Sequence, residues 1–259
     1  MPHIAITPTR DELKQAMSDS GALLAVWTDA WDSFDRSEWW WTCCDAADYT
    51  LGSVKSARGR RSIGKGQREC SVRRVEPDAF AHLAFRIYSE AVASYGGKPP
   101  AEAEYAGAIG RMAAYSGTEF WGAFRGDGLA AFAVCQIVDG AVTLGSTKSD
   151  PSLNRYNPNA ALFYSLTKYY LSQGMSYVTN GSRTLWHPTS INDFLVTLGF
   201  RRVYCRVNVE LAPLVRLTER TRLLSLAKNL PLESILGSRW RRLQGLERLI
   251  AISRSFSGS

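Results

Sequence analysis

The chain has 259 residues, 45 % of them hydrophobic and 21 % charged. That length suits one large domain or two half-size ones, and the composition excludes global disorder. The net charge of +7 is uneven: 1–54 holds 3 basic and 9 acidic residues, 55–74 holds 8 and 1, 75–210 holds 11 and 11, and 211–259 holds 9 and 3. A polyanion is therefore expected at 55–74 or 211–259 rather than over the whole surface.

In chain order, 23–27 and 39–43 read as short strands, aromatic or aliphatic and bounded by Asp and Ser. The stretch 53–66 is basic and glycine-bearing, and is expected to be a poor helix or a loop. Residues 70–75 read as a strand. Pro77 opens a helix whose Phe80, Leu83, Ala84, Ile87 and Ala91 repeat at helical spacing, ended by Gly96-Gly97 and Pro99-Pro100. A second helix covers about 101–115. Strands 120–124, 129–138 and 142–144 follow, the last two joined by a tight Asp139-Gly140 turn. After a loop over 145–158 come a helix at 159–173, a strand at 177–179, a helix from about Ser190 closed by Gly199, and one long strand over 202–211. From 214 onward the pattern is helical. The order argues for an α+β fold: a mixed, mostly antiparallel sheet flanked by helices, with a helical C-terminal extension.

Cys43, Cys44, Cys70, Cys135 and Cys205 are odd in number and include no CxxC pair, so neither a disulfide framework nor a metal site is expected. The N-terminus lacks the pattern of a signal peptide, and the longest apolar run, 129–138, is half of the ~20 residues a membrane helix needs. A cytoplasmic location is expected. In 211–259, Leu232, Leu236, Trp240, Leu243, Leu246 and Ile250 form a stripe among arginines. It reads as a face packed on the domain or as one lying on an anionic membrane surface.

Four places carry chemistry. Gly59-Arg60-Arg61-Ser62-Ile63-Gly64-Lys65-Gly66 follows the phosphate-loop pattern except at Gly66, where the magnesium-binding hydroxyl is missing. Lys55, Arg58, Arg60, Arg61, Lys65, Arg68, Arg73 and Arg74 form a basic run, either a solvated surface or a patch for a nucleotide cofactor, RNA or a lipid headgroup. At 154–160, Asn157 reads as an N-cap and Pro158 as the first helical residue, with Arg155 beside an anion-attracting helix start. At 180–188, His187 reads as a neutral base beside a helix start or as a plain loop histidine.

The stretch from about 120 to 205 resembles the core of the GNAT acyltransferase fold. The likeness rests on the hairpins over 120–144, the helix 159–173, the strand 177–180, and the helix closed by Leu198-Gly199-Phe200 that leads into a final strand. More narrowly, the chain resembles the Fem-type branch, the peptidoglycan-bridge aminoacyl transferases. The aromatic strand Trp39–Thr42, the run from Arg58 to Lys65 and the segment Tyr177–Arg183 carry that likeness.

The resemblance implies an N-acyltransferase that moves an acyl or aminoacyl group from a CoA thioester or an aminoacyl-tRNA ester to a small-molecule or cell-envelope amine. It also implies a domain over 1–210, which leaves 211–259 as a basic extension whose stripe allows a place peripheral to the inner face of the membrane. Ser146, Arg155, Asn157 and Asn159 would hold the donor. His187, Arg183 and Tyr204 would serve the acceptor side, and backbone N–H groups of the strand at 141–145 would hold the oxyanion. In the acyl-CoA-binding run [RQ]-x-x-G-x-[GA], Arg155 and Ala160 fit, but Pro158 stands at the glycine position and offers no N–H. The alternative reading is a non-catalytic binding or membrane-surface protein of the same fold.

Overall fold

A computed structural model describes residues 3–4, 6–94, 96–185, 190–212 and 238–256, with side chains in the last segment from residue 244. The chain forms two compact units: one of 42–181 with 191–202, the other of 1–41, 182–190 and 203–259.

The first of these carries most of a seven-stranded sheet. Its strands are β2 (Trp40–Cys44), β3 (Ser71–Arg74), β4 (Thr118–Arg125), β5 (Gly128–Val138), β6 (Ala141–Ser149), β7 (Tyr177–Ser182) and β8 (Arg201–Tyr204). They lie in the order β3-β4-β5-β6-β7-β2-β8. The pairs from β3 to β6 are antiparallel, and β6 pairs with β7 in parallel. Asp139 and Gly140, with φ of 48° and 73°, make the type I′ geometry that a two-residue hairpin requires.

Helices cover both faces of this sheet. α2 (Ala57–Glu69), α5 (Pro158–Ser172) and α6 (Ile191–Thr197) pack over one, and α3 (Pro77–Ser94) with α4 (Glu102–Ala113) over the other. The split is visible along β5. Ala131, Ala133 and Cys135 join the α5 side, while Phe132 and Val134 join Phe80, Ala84 and Ile87 of α3. A strand buried on both faces reads as an unbroken apolar run, which is the pattern of 129–135.

The other unit pairs β1 (Leu24–Asp29) with β9 (Arg206–Leu211), antiparallel, with Leu24 opposite Leu211 and Asp29 opposite Arg206. Asp29 receives Arg206 Nε at 2.6 Å and Asn208 Nδ2 at 3.0 Å. The stretch 202–211, expected as one strand, is two strands in different sheets, divided at Cys205. α1 (Arg10–Ser20), which the apolar pattern did not announce, is closed by reciprocal hydrogen bonds between Thr9 and Glu12 and ends at Gly21 in the left-handed region. The last helix, α7 (Ser238–Ser255), places Leu249 and Ile252 in a cluster with Trp39, Cys205 and Val207, and Ile250 is also buried. Among the described residues no helix is long and apolar enough to cross a membrane.

Candidate functional site

β6 and β7 begin as a regular parallel pair and then part. Their register covers Ala141–Thr143 against Tyr177–Thr179 and stops there, while β6 continues to Ser149 on the β5 side. The strand is therefore longer than the expected 142–144, and among the described residues the far half of its β7-side edge has no strand partner. Where the two strands part, β6 carries a bulge. Cys135 faces Leu144 but Ala133 faces Thr147, so one extra residue is accommodated at Gly145–Ser146. A Cβ on Gly145 would lie 3.3 Å from the carbonyl oxygen of Val134, a tight fit that favours glycine. Bulges interrupt a ladder and re-aim its groups, and they recur beside active sites. Backbone N–H groups freed in this way suit a developing oxyanion.

β6 runs into the start of α5. Asp150 caps the 3₁₀ turn Pro151–Tyr156, accepting from Ser152 N at 2.9 Å, Ser152 Oγ at 2.6 Å and Arg86 Nη2 at 2.5 Å. Burial alone would raise its pKa. The Ser152 and Arg86 hydrogen bonds outweigh burial and hold the carboxyl below the usual range. Asn157 follows in the left-handed region, with φ of 55°, and its side chain makes no cap hydrogen bond. Asn159 Nδ2 donates to Ser149 Oγ at 2.9 Å, and Ser149 Oγ donates to Asn154 Oδ1 at 3.2 Å, lashing the strand end to the helix start. Of the four leading N–H groups of α5, that of Asn157 bonds to Asn154 O, and Pro158 has none. Those of Asn159 and Ala160 remain for an anion.

The glycine-bearing basic run, expected as a loop or poor helix, is the 13-residue helix α2. Gly59, Ile63 and Gly66 form its buried face, and both glycines are there for close approach: Gly59 to the backbone of Thr197, Gly66 to that of Asn157 and Ala161. The phosphate-loop resemblance is thus a helix-packing pattern. Arg58, Arg61, Lys65 and Arg68 recur at spacings of three and four on the opposite, exposed face. None of the four has a hydrogen bond or ion pair among the described residues. Arg60 instead donates to the carbonyls of Val54 and Lys55. Near the start of α5, the Tyr156 ring lies 3.8 Å from the guanidinium of Arg125 and 4.8 Å from that of Arg155.

No family model matches the sequence, and no curated protein matches it. Solved structures do share its fold. FemX aligns over 80 % of this chain and 70 % of its own, with a TM-score of 0.52 and 12 % identity. The C-terminal domain of a protein assigned as a lysylphosphatidylglycerol synthetase from Agrobacterium fabrum aligns over 79 % and 67 %, with a TM-score of 0.50 and 13 % identity. The chain has the GNAT-like fold.

Within the GNAT-like fold the expected residues fall in separate places. Ser146 sits on the bulge of β6. Arg155, Asn157 and Asn159 come together at the junction of the 3₁₀ turn and α5, but the amide of Asn159 is taken by Ser149. Arg183 and Tyr204 belong to the other unit, where both meet Trp40. The guanidinium lies 4.2 Å from the indole, and the phenol meets it edge-on at 6.4 Å. Arg183 also donates to Glu38 O at 2.5 Å through its side chain and to Trp40 O at 2.9 Å through its backbone. His187 lies outside the described residues.

Sequence reasoning missed the bulge and Lys148 beyond it. A glycine inside a strand pattern was the available signal for the first.

Proposed function

We propose that this chain is an acyltransferase that moves an acyl or aminoacyl group from a phosphate-bearing donor to an amine. The parting of β6 from β7 at the Gly145–Ser146 bulge carries the reading. It supplies an unpaired strand edge for the donor's extended arm and backbone N–H groups for the oxyanion. In the reaction the amine nitrogen forms a C–N bond to the carbonyl carbon, the C–O or C–S bond to the carrier breaks, and the departing hydroxyl or thiol takes up the proton that the amine loses. Free amines have pKa values of about 8 to 10, so the acceptor must be met as the neutral form or deprotonated on arrival.

Between the two donors, aminoacyl-tRNA is favoured over acyl-CoA. Only two N–H groups at the start of α5 are open to a pyrophosphate, whereas the unpaired row from Arg58 to Arg68 is about 15 Å long at 1.5 Å per residue. A row of that length suits successive phosphates of a nucleic acid. The name of one structural neighbour, a synthetase of an aminoacylated lipid, supports the aminoacyl class. A cell-envelope amine on the cytoplasmic side of the membrane is the acceptor proposed.

A thermal-shift panel with acetyl-CoA, a long-chain acyl-CoA, CoA and aminoacyl-tRNA tests the reading, together with transfer of a labelled aminoacyl group to an amine. A true donor at 100 times its Kd stabilises the fold by about 2.7 kcal/mol. Silence from every donor, with no transfer, would leave a non-catalytic binding protein.

A further inference from the structure

Lys148 is the one charged residue of β6 and lies just beyond the bulge, where β6 has already parted from β7. Its register fixes the side it faces. Lys148 stands opposite Phe132, which belongs to the α3 and α4 layer, whereas Ser149 stands opposite Ala131 of the α5 layer and bonds to Asn159 of α5. The ammonium therefore projects on the sheet face away from the α5 start.

It is half-buried, and among the described residues its one hydrogen bond runs to the carbonyl of its own neighbour, Thr147, at 3.2 Å. No carboxylate lies within ion-pair distance among the described residues. Asp150, two positions on, is committed to Arg86 and Ser152, and Glu90 of α3 also pairs with Arg86. Burial lowers the pKa of the lysine, the direction expected of an ammonium short of a partner. A methionine of similar length would fill the same volume without that desolvation penalty.

We propose that Lys148 is the counter-ion for an oxyanion, carboxylate or phosphate, on the acceptor, which reaches the parted stretch of β6 from the α3 side. The inference rests on the transfer reading only in making the acceptor the owner of that anion. The amine acceptor is thus an anionic molecule, with its acidic group placed so that the amine meets the carbonyl at the bulge.

The test uses the full-length protein with its lysines converted to ¹³C-dimethyl-lysine, and Lys148→Arg to identify the Lys148 signal by its loss. Inorganic phosphate and acetate are titrated separately at constant ionic strength. The expected result is a saturable shift of the Lys148 resonance. Movement with phosphate alone assigns a phosphate-bearing acceptor, and movement with acetate alone a carboxylate-bearing one. In parallel, Lys148→Met should lose the anion-dependent rise in melting temperature, with binding weakened about tenfold or more. A Lys148 signal that ignores both anions overturns the proposal, even if Lys148→Met fails to fold. So does equal stabilisation of wild type and Lys148→Met. Because no donor is present, loss of anion binding leaves acyl transfer standing, and loss of transfer leaves the anion site standing.

Discussion

A Cβ built on Gly66 would lie 2.6 Å from the carbonyl oxygen of Asn157 and 2.9 Å from the amide nitrogen of Ala161. Both atoms are backbone, so neither can swing away. The close packing of α2 against the first turn of α5 depends on the missing side chain.

Gly66→Ala should therefore destabilise the protein. Overpacking of about 1–3 kcal/mol exceeds the roughly 1 kcal/mol gained in helix propensity. Gly59→Ala, facing the Thr197 backbone, should lose at least as much. Gly64→Ala is the contrast. Its nearest neighbour is the mobile end of Arg68 at 3.6 Å, so a gain of about 0.5–1 kcal/mol is expected. Urea denaturation of the three variants decides. A uniform gain would show that the glycines do not set the spacing.

The combined replacement of Arg58, Arg61, Lys65 and Arg68 by glutamine should leave stability within about 0.5 kcal/mol for each site, since none makes a partner. Affinity for tRNA should fall. The slope of log K against log salt should shrink by about 0.7–0.9 for each phosphate contact removed. Filter binding across a salt series measures it, and an unchanged slope would detach the nucleic acid from α2.

Gly145→Val places a branched side chain against Val134 O at the bulge. Single-turnover transfer should slow by about 10²–10³-fold if the N–H groups there hold the oxyanion, with donor affinity nearly unchanged. Equal losses in rate and affinity would instead mean that the strand has shifted.

Asp150 links stability to pH. Its folded pKa is depressed, so its contribution is fully present above the unfolded value of about 3.9 and is lost as pH falls through the lower folded value. Asp150→Asn should cost stability at neutral pH and flatten the acid limb of a stability–pH curve. Parallel curves for the two proteins would remove the linkage.

All five cysteines are buried thiols, and burial pushes those of Cys43 and Cys135 up to about 12 and that of Cys44 to about 11. Thiolate is the reactive form, so native protein should resist a thiol reagent at neutral pH. The unfolded chain should titrate all five. Rapid labelling of the native protein would show a buried site opening.

What the sequence made legible follows from how local each signal is. The Asp139-Gly140 turn and most of the face of α3 are written in a few neighbouring residues: the structure has the turn and buries Phe80, Ala84 and Ile87, while Leu83, expected on the same face, is exposed. α2 was hidden because Gly59, Gly64 and Gly66 weaken intrinsic helicity. The helix is stabilised by what it packs against, and the Gly59–Ile63–Gly66 spacing makes sense only beside α5 and the end of α6. The break at Cys205 was equally invisible, since a residue passing between two sheets looks like any other in a run of alternating polar and apolar residues. Of the site, the junction at 154–160 could be read from its Asn-Pro start. The length of β6 could not, because Gly145 resembles a stop when it is a bulge.

That bulge also sets the parity of the strand. Counting without the extra residue, Lys148 would face Ala131 and Ser149 would face Ala130, which exchanges the two sides of the sheet for each. Closing the ladder straight through 145–146 with the length unchanged would turn the ammonium toward the α5 start and release the tie between Ser149 and Asn159, whereas deleting one residue there removes the bulge and leaves Lys148 opposite Phe132. The two faces of β6 keep their chemistry beyond the bulge because the extra residue takes up one position, so a one-residue deletion at 145–146 should remove the re-aimed N–H groups while leaving Lys148 and Ser149 on their present sides.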